Sequence, residues 1–140
     1  MEAQTAIEKV LKHPADAQVR VTRRIEIGRA IQQGDVYLHR VADDHPRGAL
    51  LGTRKLAIGE GEGSHHIAEG EGVSVYAGKE LPPGMREPDW VEPGSLLGPV
   101  VVVEDKLTLT HPVHPHHVLP AGTYQTTYQA DFATRQRVLD

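Results

Sequence analysis

The chain has 140 residues and a formal net charge of −4 with neutral histidines, which is the size of one domain with its own core. The acidic balance excludes broad electrostatic capture of nucleic acid or of an anionic membrane surface. Because cysteine is absent, disulfides and thiolate metal sites are excluded, and a transition metal would need imidazole and carboxylate ligands. Nine histidines make such a site feasible.

The composition favours a β-rich fold over a helix bundle. Fourteen glycines and ten prolines, with one Phe and one Trp, are typical of a chain with many turns. Tyr, Val and Leu are therefore expected to fill the core. The start MEAQTAIEKV carries acidic residues where a secretory signal would be basic, and the chain has no apolar run of membrane-spanning length. We expect a cytoplasmic protein without a membrane segment.

The first predicted element is a short N-terminal helix. In QTAIEKVLK, residues 4–12, the apolar residues Ile7, Val10 and Leu11 have helical spacing, and Pro14 closes the segment.

The next segment, VRVTRRIEI at 19–27, alternates apolar and polar residues as a strand does, although a helix running through 29–31 competes with this interpretation. We predict an N-terminal helix and arm over 1–32 and a β-domain with histidine-rich loops over 33–140.

Strand signals dominate the predicted β-domain. Alternating apolar residues and glycine or proline turns predict strands over 34–41, 53–60 and 73–77, a hairpin of 99–105 with 106–110, and a last strand over 119–132. The hairpin would turn at Glu104–Asp105–Lys106, and the last strand would be entered through a turn at Pro120–Ala121–Gly122. The proline-rich segment 78–99 is predicted to be a long irregular loop. The predicted fold is a small antiparallel β-sandwich or barrel.

Histidines occur in two clusters, of which the first lies in GEGEGSHHIAEGEG, residues 59–72. If a strand starts here, His65 and His66 point to opposite faces and only one of them faces inward. His66 is next to apolar Ile67, and Glu60 is one of several carboxylates that could ligate a metal or orient an imidazole. The competing interpretation is an acidic loop with incidental histidines.

The second cluster is HPVHPHH, residues 111–117, between two predicted strands. Its prolines bias the backbone toward polyproline II, whose period of three puts His111, His114 and His117 on one face. In a flat strand the phase differs, and His114 shares a face with His116. The competing interpretation is a solvated surface loop.

If the two clusters meet at one end of the sheet, they supply three or four imidazoles. We predict a divalent metal site (Zn, Fe, Ni or Mn) with His66, His111 and His114 as ligands, completed or oriented by a further set of side chains: Glu60, His65 and His117. A water on an open coordination position would permit metal-assisted hydrolysis or oxygen chemistry. Whether the protein is an enzyme, and on what substrate, stays open.

The alternative is a non-enzymatic assembly protein, either a homo-oligomer or a component of a phage or bacterial complex, whose His/Gly loops serve packing. A nucleic-acid module is disfavoured, because the basic stretches RVTRR and RQR lack interleaved aromatic residues. Nucleophilic serine or cysteine chemistry is unsupported, since no serine stands in GxSxG. GEGEG is no P-loop, because no GK[ST] follows.

Part of the first cluster resembles the metal motif of cupins. Ser64, His66, Glu71 and Gly78 keep its rhythm, and Pro120–Ala121–Gly122 resembles the PxG turn of that superfamily. Ser64 stands where the motif has its first histidine, and the histidine after PxG is missing. The resemblance implies a cupin or jelly-roll type of β-fold.

A second resemblance covers roughly residues 33–140. QGDVYLHRV, LAIGEGEGSHHI and LTLTHPVHPHHVLPAGTYQTTYQADF look like a group of small bacterial and phage-associated proteins of unknown function with the pattern QGDVLL, LAxGExTGHxH, HxxH and LPxGxY. Matching the pattern position by position singles out histidines, the glycine–acidic frame and the closing turn: His66, His111, His114, Gly59, Glu60, Gly63, Pro120, Gly122 and Tyr124. Ser64 replaces a histidine of the pattern, which leaves His65 as a substitute or the site one ligand short.

Overall fold

The computed structural model describes residues 19–58, 65–131 and 136–138. These residues form a mainly β structure without a helix, which confirms the predicted fold class at that level. Accordingly, the described part of the chain contains no helix of the length and apolarity needed to cross a membrane. The predicted N-terminal helix over 4–12 and the predicted ligand Glu60 lie outside the described residues.

Nine strands form one sheet, and two short strands form a second. In chain order the strands are β1 Val19–Val21, β2 Ala30–Gln33, β3 Val36–Val41, β4 Arg47–Leu50, β5 Lys55–Ile58, β6 His65–Glu69, β7 Val73–Gly78, β8 Leu97–Thr110, β9 His116–Tyr128, β10 Ala130–Asp131 and β11 Gln136–Arg137. Strands β10 and β11 pair only with each other among the described strands.

The long strands β8 and β9 form the centre of the main sheet. Its principal order is β2-β3-β9-β8-β6-β5, and β7, which also pairs with β4, joins β8 beside β6. Strand β8 pairs with β7 over 100–103 and with β6 over 108–110, so its two halves have different neighbours. All neighbouring strands are antiparallel except β1, which runs parallel to β9. The sheet curls into a half-barrel.

The predicted hairpin at Glu104–Asp105–Lys106 is wrong, because these residues belong to one continuous strand, β8. The register between β8 and β9 shifts between Val103 and Lys106, and the three charged residues are exposed. The charged triplet therefore marks an irregularity where β8 exchanges β7 for β6, and not a chain reversal.

The predicted turn at Pro120–Ala121–Gly122 is wrong for the same reason, since all three residues lie inside β9. They face the irregular part of β8, where a proline without an N–H costs no regular ladder bond. Gly122 has φ +151°, and a Cβ there would clash with the Arg40 guanidinium. Glycine is required at this point both for the backbone conformation and for the close approach of Arg40.

Two other sequence predictions are refined. The strand predicted over 19–27 is present only as β1, and the competing helix at 29–31 is not formed, because β2 begins at Ala30. The irregular loop between β7 and β8 is confirmed. Val91 and Leu96 of this loop are buried, and His45 Nε2 lies 3.1 Å from the carbonyl oxygen of Glu80, so the loop is packed onto the body.

The core contains leucine, valine and alanine side chains around one aromatic ring. Its buried members are Val36, Leu38, Leu56, Ala57, Ala68, Val73, Val75, Val101, Val103, Leu107, Leu109, Leu119 and Tyr124. Tyr124 is fully buried, and its hydroxyl donates to the carbonyl oxygen of Pro120 at 2.7 Å. This hydrogen bond spans the irregular part of β9 and ties it to the core.

Replacing Tyr124 with Ala is expected to lower the free energy of unfolding by about 3 kcal/mol or more, because a buried ring is lost from a packed core. The measurement is chemical denaturation, with Tyr124→Phe as the matched control that retains the ring. The control should lose only about 1 kcal/mol, the contribution of one hydrogen bond. Similar losses in both variants would contradict a packing role for the ring.

A second expectation concerns alkaline pH. Burial raises the pKa of Tyr124 to about 12, against an opposing effect of the Arg40 charge, whereas an unfolded tyrosine titrates near about 10. Between these values the unfolded state releases the proton first, so the free energy of unfolding falls as pH rises from about 10 to about 12. Denaturation across this range should show a smaller decrease for Tyr124→Phe than for the wild type, and equal decreases would contradict this assignment.

Candidate functional site

The two histidine clusters meet at one end of the sheet. In β6, His66 is fully buried and His65 points to the other face, as strand alternation predicts. Ile67 pairs with Thr110, so one further step of the same register brings His66 beside His111, the first residue after β8. The centroids of the His66 and His111 rings are 4.4 Å apart.

His114 completes a group of three rings, which we call the histidine cluster (His66, His111 and His114). Its ring centroid lies 4.4 Å from that of His111 and 6.2 Å from that of His66. His111 is 2% exposed, and His114 is half-buried. The three principal ligands predicted from the sequence are therefore in mutual ring contact, although their strands are about 45 residues apart in the chain.

A buried glutamine at the end of β2 orients His66. The Gln33 side-chain nitrogen donates to the carbonyl oxygens of Leu109 and Pro115 at 2.9 and 2.8 Å. Those two bonds use both of its N–H groups and fix the orientation of the amide, so Oε1 faces His66 Nδ1 at 2.9 Å. His66 Nδ1 therefore carries a proton and donates it, and Nε2 is the nitrogen left for chemistry.

That second nitrogen meets a buried carboxylate. Asp35 follows Gly34 in the two-residue turn between β2 and β3, is 1% exposed, and has Oδ1 3.0 Å from His66 Nε2. Because Nδ1 already carries a proton, a hydrogen bond between Nε2 and Oδ1 needs one further proton, held either as an imidazolium or as a carboxylic acid. The buried pair of His66 and Asp35 thus shares one proton.

His111 has the opposite tautomer when its ring is neutral. Its Nδ1 accepts the backbone N–H groups of Val113 and His114 at 3.0 and 3.2 Å. A ring that accepts at Nδ1 carries its proton on Nε2. These bonds shape the loop that returns His114 onto the cluster.

The remaining predicted ligands are not among these ring contacts. His65 pairs across to Ile58 in β5, and its Nδ1 is buried without a hydrogen-bond partner in the described part of the protein. His117 lies in β9 beside Leu109 of β8 and Arg20 of β1. Burial first, and then the charges of Arg20 and His116, lower the pKa of His117.

Gln33 and Asp35 are functional candidates that the sequence analysis did not single out, although the resemblance pattern includes their QGD. Both stand in QGD, where the glycine and the aspartate look like ordinary turn residues. With side chains as they stand, no three His, Asp or Glu residues within 19–58, 65–131 and 136–138 have ligand atoms arranged to hold a metal ion. The histidine cluster, Gln33 and Asp35 thus form a hydrogen-bonded group in which His66 Nε2 and Asp35 Oδ1 share one proton. When that proton leaves, the lone pair of His66 Nε2 becomes available.

Comparison of the chain with protein-family models, with curated proteins and with solved structures finds no significant match. The resemblances to cupins and to the phage-associated group therefore stay predictions.

The site generates a stability prediction. Replacing Gln33 with Ala removes two buried hydrogen bonds, to the Leu109 carbonyl oxygen and from the His66 N–H, and one part-buried hydrogen bond to the Pro115 carbonyl oxygen. This loss should lower the free energy of unfolding by about 3 kcal/mol or more. Gln32 is the matched control, because it is exposed and makes a single local hydrogen bond to the Gly34 carbonyl. Gln32→Ala should change stability by about 0.5 kcal/mol or less. If denaturation gives equal losses in the free energy of unfolding for Gln33→Ala and Gln32→Ala, the Gln33 hydrogen bonds add no stability beyond that of a surface residue.

Proposed function

We propose that the histidine cluster and Asp35 bind one divalent transition-metal ion. The observation that carries this proposal is the pair of His66 Nε2 and Asp35 Oδ1, buried and 3.0 Å apart. Two ligand atoms about 2.1 Å from one ion, at an angle of about 90° to 109°, are roughly 3.0 to 3.4 Å apart. The ion would take the place of the proton that the pair now shares.

The protein environment supports His66 as the anchoring ligand. Metal-ligating histidines usually donate their other ring N–H to a fixed acceptor, which sets the tautomer and raises ligand basicity. Gln33 Oε1 is such an acceptor, since its own amide is held by two backbone carbonyls. The lone pair of His66 is thereby kept on Nε2, on the side of Asp35.

Completing the coordination requires side-chain movement. His111 must first release the two backbone N–H groups at Nδ1, after which it can ligate through Nδ1 directly or through Nε2 once the ring proton has moved to Nδ1. His114 lies in the loop between β8 and β9, where a change of rotamer does not disturb a strand. Two or three imidazoles with one carboxylate suit zinc and ferrous iron, and also nickel and manganese.

The test is titration calorimetry of the untagged full chain with zinc, nickel, manganese and ferrous iron. We expect one ion per chain with a dissociation constant below about 10 μM for at least one metal. Binding should release about one proton per ion, seen as a dependence of the heat on the ionisation enthalpy of the buffer. Asp35→Asn and His66→Ala should abolish binding, and His111→Ala and His114→Ala should weaken it.

Matched controls are available in the same chain. His116→Ala removes a neighbouring histidine outside the cluster, and Asp105→Asn neutralises an exposed carboxylate of β8. Both should bind metal as the wild type does, and thermal unfolding verifies that each variant is folded. The proposal fails if no metal binds more tightly than about 10 μM, or if His116→Ala is as damaging as a folded Asp35→Asn.

One observation favours the alternative, a structural or assembly role. The cluster hydrogen-bonds protein groups in the way that packing requires: both His66 nitrogens have side-chain partners, and His111 Nδ1 accepts backbone N–H groups. A protein of that kind binds no stoichiometric metal and uses the loop after β8, where Val113 is exposed, to contact a second copy or a partner. Light scattering should then give an oligomer for the wild type and a smaller species for Val113→Asp.

A further inference from the structure

A cavity adjoins the histidine cluster on the side of β1 and β2. It has a volume of about 490 Å³, and its lining includes Arg20, Gln32, Gln33, His114, Pro115 and His117. His114 belongs to the cluster, and Gln33 holds His66. The cavity is therefore an approach to the cluster that a small molecule can occupy.

The described residues that line the cavity carry basic side chains and no acidic ones. Arg20 lies beside His117, because β1 runs parallel to β9 and pairs these two residues. Arg20 makes no ion pair or hydrogen bond with a side chain in the described ranges, and of the described residues that line the cavity none is acidic. A guanidinium and two imidazoles thus face one space without a carboxylate.

Such a set of donors is suited to an oxyanion. Arginine presents N–H groups in a fork that fits two oxygens of a carboxylate or phosphate group. Gln32 adds a second N–H beyond the one it donates to the Gly34 carbonyl. An anion in this cavity would share its lining with His114 of the histidine cluster.

We infer that this cavity is a binding site for a small molecule bearing an oxyanion, held by Arg20 with His117 and presented to the histidine cluster through His114. Oxyanion binding itself depends on Arg20 and not on a metal. The presentation to a metal ion rests on the proposed function.

The test is a titration of the ¹⁵N-labelled full chain followed by two-dimensional NMR, with inorganic phosphate and with acetate as separate probes. Each titration is done on metal-free protein and on protein with one equivalent of zinc. We expect saturable shifts centred on the amides of 20, 32–34, 114, 116 and 117 with at least one probe. Preference for phosphate or for acetate identifies the class of oxyanion.

The matched variants are Arg20→Gln and Arg23→Gln, which remove the same charge three residues apart. Arg23 is exposed and does not line the cavity. Arg20→Gln should weaken binding about tenfold or more, since charge-assisted hydrogen bonds are lost, and Arg23→Gln should leave it within about twofold. Both substitutions lie on exposed residues, so folded protein is expected, as the NMR spectra themselves verify.

The outcomes separate the two proposals. Saturable binding to metal-free protein that needs Arg20 supports the oxyanion site even where no metal binds. The inference is overturned if neither probe gives saturable shifts at the cavity, or if Arg20→Gln and Arg23→Gln weaken binding equally, which means general surface charge. If zinc binds but leaves the affinity for both probes unchanged, presentation of the anion to the metal is wrong while the metal site stands.

Discussion

The candidate site depends on the side-chain amide of Gln33. This amide joins three separate segments, because it donates to the end of β8, donates to the loop before β9 and accepts from His66 in β6. Its bonds to Leu109 and to His66 are buried, so water cannot replace either of them at low cost, and its bond to Pro115 is part-buried. The position of the His66 ring and its tautomer follow from this one group, which also ties the loop 111–115 to the end of β8.

Next to the Gln33 amide, the protein buries an acidic side chain, Asp35, in contact with a basic one, His66, close to apolar core residues. Val36 follows Asp35 and Leu109 lies two residues before His111, and both side chains are fully buried. A carboxylate buried among such side chains is costly unless it is paired and hydrogen-bonded. Breaking a buried pair costs more than forming it contributes. A well-packed apolar core of similar volume would often serve stability equally well.

The sequence predicted the strands whose signal is local and missed features whose signal is long-range. Alternation in VYLHRV and VSVYA located β3 and β7 well, and Val36 and Leu38 of β3 lie in the core. The charges in β8 and the proline and glycine in β9 were interpreted as turns, because each is a turn signal on its own. Only the pairing of the two strands shows that both irregularities lie opposite each other.

The sequence likewise predicted part of the candidate site and missed another part. The sequence placed two strand-flanked histidine clusters in one small β-domain and left open whether they meet, and the ring contacts show that His66, His111 and His114 do. Asp35 and Gln33 stand in the QGD of the resemblance pattern but were not singled out as site residues, because an aspartate after glycine is ordinary in a hairpin turn and a glutamine at a strand end gives no signal of a site by itself. Whether the domain closes as a sandwich, barrel or jelly roll stays a prediction.

The parallel pairing of β1 with β9 has a consequence for the order in which the molecule assembles. Val19 pairs with His116, about 100 residues later in the chain, so this contact closes one of the longest loops that the described residues contain. Closing a long loop is entropically slow relative to making local hairpins such as β2–β3. During synthesis, Arg20 must wait until residues 116–118 of β9 have been made, so the wall that β1 contributes to the cavity cannot form before the loop that carries His111 and His114 is complete.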